Sequence, residues 1–171
     1  DGSNSIGNFQ DMTNIKVPPH NDEAEESVLG AILLDKDAVC IVSQIISSMD
    51  FYNQINGVIF DSMLSLYEQG KPIDILTLKT HLKKKKDEMK IESSYLTELV
   101  NAVPTAANVE HYATIIKEAS TKRSLIQTGS QMVEMAFMED KEVGDLLNKA
   151  ESSIFSISQK SSLKTFIPLK E

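Results

Sequence analysis

Between Tyr112 and Ile157 the chain carries two apolar seams at alternating steps of three and four, a spacing that demands a pair of long helices. The first seam is Tyr112, Ile115, Ala119, Ile126, Gly129, Val133 and Ala136, with one gap at Lys122. After a polar break at Met138-Glu139-Asp140-Lys141, the residues Val143, Leu147, Ala150, Ile154 and Ile157 repeat the pattern. Two such arms joined by a short polar loop predict a helical hairpin over residues 107–159. A hairpin alone has too little core, and Leu125, Met132, Met135 and Phe155 lie off its seams. Spare apolar surface on an elongated arm needs cover, so self-association through the hairpin is the first expectation.

The 171 residues suit one domain with appendages, and the 41% hydrophobic content can fill a core. The formal net charge of −8 repels a phosphate backbone, which argues against nonspecific nucleic-acid binding by this chain. No apolar run approaches the roughly 18–20 residues that span a bilayer, and no signal-peptide pattern opens the chain. Cys40 is the single cysteine and sits among Val39, Ile41 and Val42, where a small buried apolar residue is expected. These features read as intracellular.

Residues 1–17 hold little that can pack and are expected to be a disordered arm. Met12 looks like a natural start, so residues 1–11 read as an expression remnant. A helical globule over 18–106 is expected next, with about five to six helices in all before the hairpin. The first is capped by Asn21 or Asp22, has Glu23, Glu25 and Glu26 in its opening turn, and buries Ala24, Val28, Ala31 and Ile32. Asp35-Lys36-Asp37 breaks it, and a short second helix carries Val39, Val42, Ile45 and Ile46. Ser47 to Tyr52 reads as a turn. A third helix from Asn53 to Gln69 turns Val58, Ile59, Met63, Leu66 and Tyr67 inward and ends at Gly70. Asp74 caps a fourth with Ile75, Leu76, Leu78 and Leu82, which runs out in Lys83 to Lys86. A fifth carries Tyr95, Leu96, Leu99 and Val100 and stops before Pro104. Nothing alternates with period two, so the fold class is all-α. Residues 160–171 read as the start of a linker, with Phe166-Ile167-Pro168-Leu169 near its end.

The residues offer little chemistry. His20, His81 and His111 are far apart and lack the i, i+4 spacing of a metal site. Glu110-His111 is adjacent on a helix and reads as a surface pair. There is no Gly-rich phosphate loop followed by Lys-Ser or Lys-Thr, and no Gly-x-Ser-x-Gly turn. No catalytic, cofactor or metal residue is expected within this chain. Lys79, Lys83 to Lys86 and Lys90 allow a second reading, a helical nucleic-acid-binding module, against the ordinary one of a solvated helix end.

A family resemblance rests on several ordered blocks. Pro18-Pro19-His20-Asn21 and Glu23-Ala24-Glu25-Glu26-Ser27-Val28-Leu29-Gly30-Ala31-Ile32-Leu33-Leu34-Asp35 look like the opening of bacterial replicative DNA helicases of the DnaB type. Asp50-Phe51-Tyr52, Ile59-Phe60 and Leu66-Tyr67-Glu68-Gln69-Gly70-Lys71-Pro72-Ile73-Asp74 continue it in order. Tyr95-Leu96-Thr97-Glu98-Leu99, Val103-Pro104-Thr105-Ala106-Ala107-Asn108-Val109-Glu110 and Tyr112-Ala113 complete it. The likeness covers roughly residues 17–171. One departure is the basic run Lys83 to Lys86 with Asp87 and Glu88, where family members often have a shorter, less basic turn.

The resemblance implies a helical globule and hairpin that pair into dimers and assemble as a trimer-of-dimers collar in a hexamer. It implies docking of the C-terminal domain of a DnaG-type primase, a helicase loader as a further partner, and a cytoplasmic place at the replication fork. ATP, magnesium, DNA unwinding and the main DNA contacts would belong to a RecA-like domain absent from this sequence. For the dimer interface, small Ala119, Gly129 and Ala136 would let a second helix approach, while Ile126, Met132, Val133, Phe137, Leu147 and Ile154 supply apolar area. Gly129 within a helix costs about 1 kcal/mol relative to alanine, which favours a packing reason for it. For primase docking the candidates are Tyr95, Ile126 and Met132. Against that stands the ordinary reading of Tyr95 as a core aromatic with its hydroxyl at the rim.

Overall fold

The computed structural model describes residues 16–84 and 90–161. The elements run α1 (Asp22–Leu34), α2 (Ala38–Ile45), a 3-10 turn (Ser48–Asp50), α3 (Gln54–Glu68), α4 (Ile75–Lys84), α5 (Ser93–Asn101), α6 (Val109–Ala136) and α7 (Val143–Ser161). No strand occurs among the described residues, and the fold is all-α. The expected arm up to residue 15, the expression remnant with Met12, Lys85 and Lys86, and the tail with Phe166-Ile167-Pro168-Leu169 lie outside the described residues.

Helix ends follow from side chains that satisfy orphan backbone groups. Asn21 Oδ1 accepts from the Ala24 amide at 2.8 Å and Asn53 Oδ1 from the Ile55 amide at 3.0 Å. Asp74 and Thr77 cap α4 reciprocally, each side chain accepting from the other's amide. Gly70 stops α3 because, alone among the described residues, it takes a positive φ, 66°, which lets the Lys71 and Gly70 amides reach the Leu66 and Tyr67 carbonyls.

α1 is the central helix, packed against α2, α3, α5 and α6. It buries Val28, Leu29, Ala31 and Ile32 completely, so no face is left to solvent along its middle. A Cβ on Gly30 would run into the Leu99 carbonyl oxygen, which shows how closely the α5 backbone is laid on this helix. Phe60, missed by the sequence reading, is among the largest buried side chains. Leu78 enters the core, but Leu76 does not: it is 74% exposed, because no element covers that side of α4. Cys40 is half-buried, unlike the expected buried position, and its thiol lies against the Tyr67 hydroxyl.

α6 belongs to two bodies at once. Val109, Ala113 and Ile116 are buried in the globule, and the rest of the helix leaves it to pair with α7. α7 has no buried residue of its own. Among the described residues, no helix is long and apolar enough to cross a membrane.

Candidate assembly and docking surface

The two arms of the hairpin meet through unlike clefts. Near the base, a cleft of about 470 Å³ is walled by Thr121, Ser124, Thr128 and Gln131 of α6 and Ser153 and Ser156 of α7. Near the tip, Met132, Met135 and Ala136 face Val143, Leu146, Leu147 and Ala150. The inner line of α6 thus runs Thr121, Ser124, Thr128, Met132 and Met135, one face over from the predicted seam. Met132 and Met135, expected off the seam, line the inside, whereas the seam residues Ile126 and Val133 are 49% and 45% exposed. With hydroxyls occupying the inner line, the apolar stripe is left pointing outward.

That outward stripe collects most of the proposed interface positions. Ile126, Val133, Phe137 and Ile154 are exposed on it with Gly129, Leu147 and Ala136 are exposed but line the tip cleft, and Met132 and Ala119 are half-buried. A Cβ at Gly129 would meet nothing within 4 Å, so nothing inside the subunit requires glycine there. Among the described residues, nine of the fifteen large apolar side chains left exposed lie between Leu125 and Phe155. So concentrated an apolar surface is more than scattered surface hydrophobes account for.

The base of the hairpin is fastened by residues that sequence reasoning missed. Arg123 donates to the carbonyls of Pro19 at 2.7 Å and Asp50 at 2.6 Å, with its guanidinium 5.6 Å over the Tyr52 ring. Tyr52 in turn stacks on His20 at 4.2 Å. Asp50 accepts from Ser120 Oγ at 2.7 Å and pairs with Lys117 at 3.5 Å, both carboxylate and ammonium mostly covered. Only the Pro18-Pro19-His20-Asn21 and Asp50-Phe51-Tyr52 blocks, quoted above for their family likeness, hinted at this cluster. Charge pairs between residues about seventy positions apart leave no periodic trace.

Tyr95 has a structural partner. Its hydroxyl donates to Asn56 Oδ1 at 2.6 Å, and Asn56 donates to the buried Glu25 at 2.9 Å. The hydroxyl is therefore turned into the globule, while the ring remains half-buried at its edge. Burial disfavours the phenolate and the Glu26 carboxylate adds to it, so the phenol is pushed up to about 12 despite the Asn56 contact. The unfolded chain gives up this proton near 10 and the folded chain near 12, so the associated stability is complete below pH 10 and lost between 10 and about 12. Urea midpoints measured across that window should fall, and Tyr95→Phe should flatten the fall. Tyr67, raised likewise by its contact with Cys40, would supply what slope remains.

His20, His81 and His111 are not brought together, and no group of three or more His, Cys, Asp or Glu among the described residues is placed to hold a metal. Glu110 and His111 are both exposed.

Comparison with known proteins matches this geometry. Residues 17–118 match the model of the DnaB-like helicase N terminal domain. The replicative DNA helicase DnaC of Bacillus subtilis is 37% identical over 162 residues, covering 94% of this chain and 36% of that protein. The chain thus spans about a third of the length of that relative. The crystal structure of the N-terminal domain of DnaB helicase from Mycobacterium tuberculosis superposes with a TM-score of 0.76 at 34% identity, covering 82% of this chain and 99% of that one. The N-terminal domain of DnaB helicase from Helicobacter pylori, solved with a study of its interactions with primase, gives 0.61 at 30% identity and covers 68% and 91%. A helical globule, a protruding hairpin with an uncovered apolar stripe, and these likenesses place the chain in the DnaB-like helicase N-terminal domain family.

Proposed function

We infer that this chain is the non-catalytic assembly and primase-recruiting part of a hexameric replicative helicase. The observation that carries the reading is the exposed apolar surface of the hairpin, the outward Ile126, Val133, Phe137 and Ile154 with Leu147 at the open tip cleft, and Gly129 open beside them. A second copy laid along it would bury that area, and dimers would then join three by three into a collar. ATP, magnesium and DNA unwinding are assigned to a further domain of the parent protein, since no phosphate loop occurs in this sequence.

The primase reading draws on the Helicobacter pylori relative, which interacts with primase. Tyr95, Ile126 and Met132 are the candidate anchors, apolar groups of the sort that fill a partner's pockets. Tethering primase to a ring raises its effective concentration at the fork without any new chemistry.

Light scattering on the chain, alone and with the C-terminal domain of its primase, tests both halves. A dimer or larger assembly is expected, and Gly129→Leu should weaken it while the helical circular-dichroism signal persists. Solitary subunits at all concentrations would sink the assembly reading. In calorimetry, unchanged primase affinity of Tyr95→Ala and Ile126→Ala would sink the docking assignment.

A further inference from the structure

A groove that shares no lining residue with the Arg123 cluster has no part in this reading. It runs between the Lys71-Pro72 turn that follows α3 and the exposed row Leu76, Thr80 and Lys84 of α4, with Leu66 at its floor, and holds about 300 Å³. Leu76 is 74% exposed and stands between this groove and a second one lined by Leu33 and Val100. Leu76, Thr80 and Lys84 are one turn apart, so they form a ridge along which another helix can lie. The groove's charged border is cationic. Lys71 and Lys84 border the groove and Lys83 is exposed beside them, on a chain whose net charge is −8. Asp74, at the start of α4, is engaged in capping it.

We propose that this groove is a docking site for an acidic amphipathic helix of a partner protein, apolar side chains against Leu66, Pro72 and Leu76 and carboxylates against Lys71 and Lys84. An apolar floor with a cationic rim suits that ligand better than a nucleic acid, whose backbone needs the charges but gains nothing from Leu76. The site is independent of the hairpin and of the primase anchors.

Fluorescence anisotropy on the whole chain tests it with a labelled helical peptide of roughly four turns, leucines at i, i+3, i+4 and i+7 and glutamates elsewhere. Controls are the same peptide with serine for leucine, the same with lysine for glutamate, and oligothymidine. The leucine-glutamate peptide is expected to bind and both altered peptides to fail. Leu76→Asp, at an exposed position that folding does not need, should weaken binding at least about tenfold. Leu76→Met should restore it, and Lys84→Glu should weaken it and reduce its salt dependence. Gly129→Leu should leave it unchanged, which separates this result from the fate of the assembly reading. Absence of binding, indifference to Leu76→Asp, or oligothymidine binding that depends on the lysines alone would each overturn the proposal.

Discussion

Replacing Glu25 by alanine is expected to lower folding stability by about 3–5 kcal/mol, since each buried donor left unpaired costs about 1–3. The side chain is 1% exposed, yet it is an acid in a core. Its two oxygens accept from the Tyr52 amide at 2.6 Å, the Asn53 amide at 3.3 Å and Asn56 Nδ2 at 2.9 Å. Truncation would strand all three donors and open a void beside α1. The long Asn53 contact, 3.3 Å, is the weakest of the three, which keeps the sum below the full total. Glu25→Gln retains one good acceptor but turns an amide toward a donor, and should lose roughly half as much. Urea unfolding checks this: a lowered midpoint with unchanged slope is expected. A loss under about 1 kcal/mol would mean that the network does not hold the Tyr52-Asn53 backbone to α1.

Arg123→Ala should cost about 2–4 kcal/mol and, more tellingly, should loosen the hairpin on its globule. Two charge-assisted hydrogen bonds to backbone carbonyls and the contact over Tyr52 disappear together. The planar fork is what lets one side chain reach Pro19 and Asp50 at once, so Arg123→Lys should recover only part of the loss. Hydrogen exchange is the sensitive readout. Faster exchange is expected around Ser47–Asn53 and along the first half of α6, with the middle of α1 little changed. Exchange indistinguishable from the parent would show that Lys117, Ser120 and Asp50 suffice to seat the hairpin.

Much of the helix order was legible because end signals are local. Asn21, Asn53, Asp74 and Gly70 act within a few residues of themselves, so their types and positions carry the information. The face of each helix was read less well. Leu76 has the periodicity of a core residue but lacks a neighbouring element, and Phe60 was overlooked beside Ile59. The hairpin shows the same gap on a larger scale. Spacing by three and four reports an apolar stripe on α6, and a small drift in turn angle over six turns decides which way it points.

From the residues alone came the all-helical class, the hairpin, its surplus of apolar surface and the family likeness, each a consequence of short-range pattern or ordered blocks. Tertiary structure alone decided that Met132 and Met135 lie inside the hairpin, that Ile126 and Val133 lie outside, and that Leu76 borders an open groove. It alone made Glu25 a buried acceptor and Arg123 the clasp of the hairpin. Those roles depend on partners 27 to 104 residues away, and what covers a side chain is set by where distant segments come to rest.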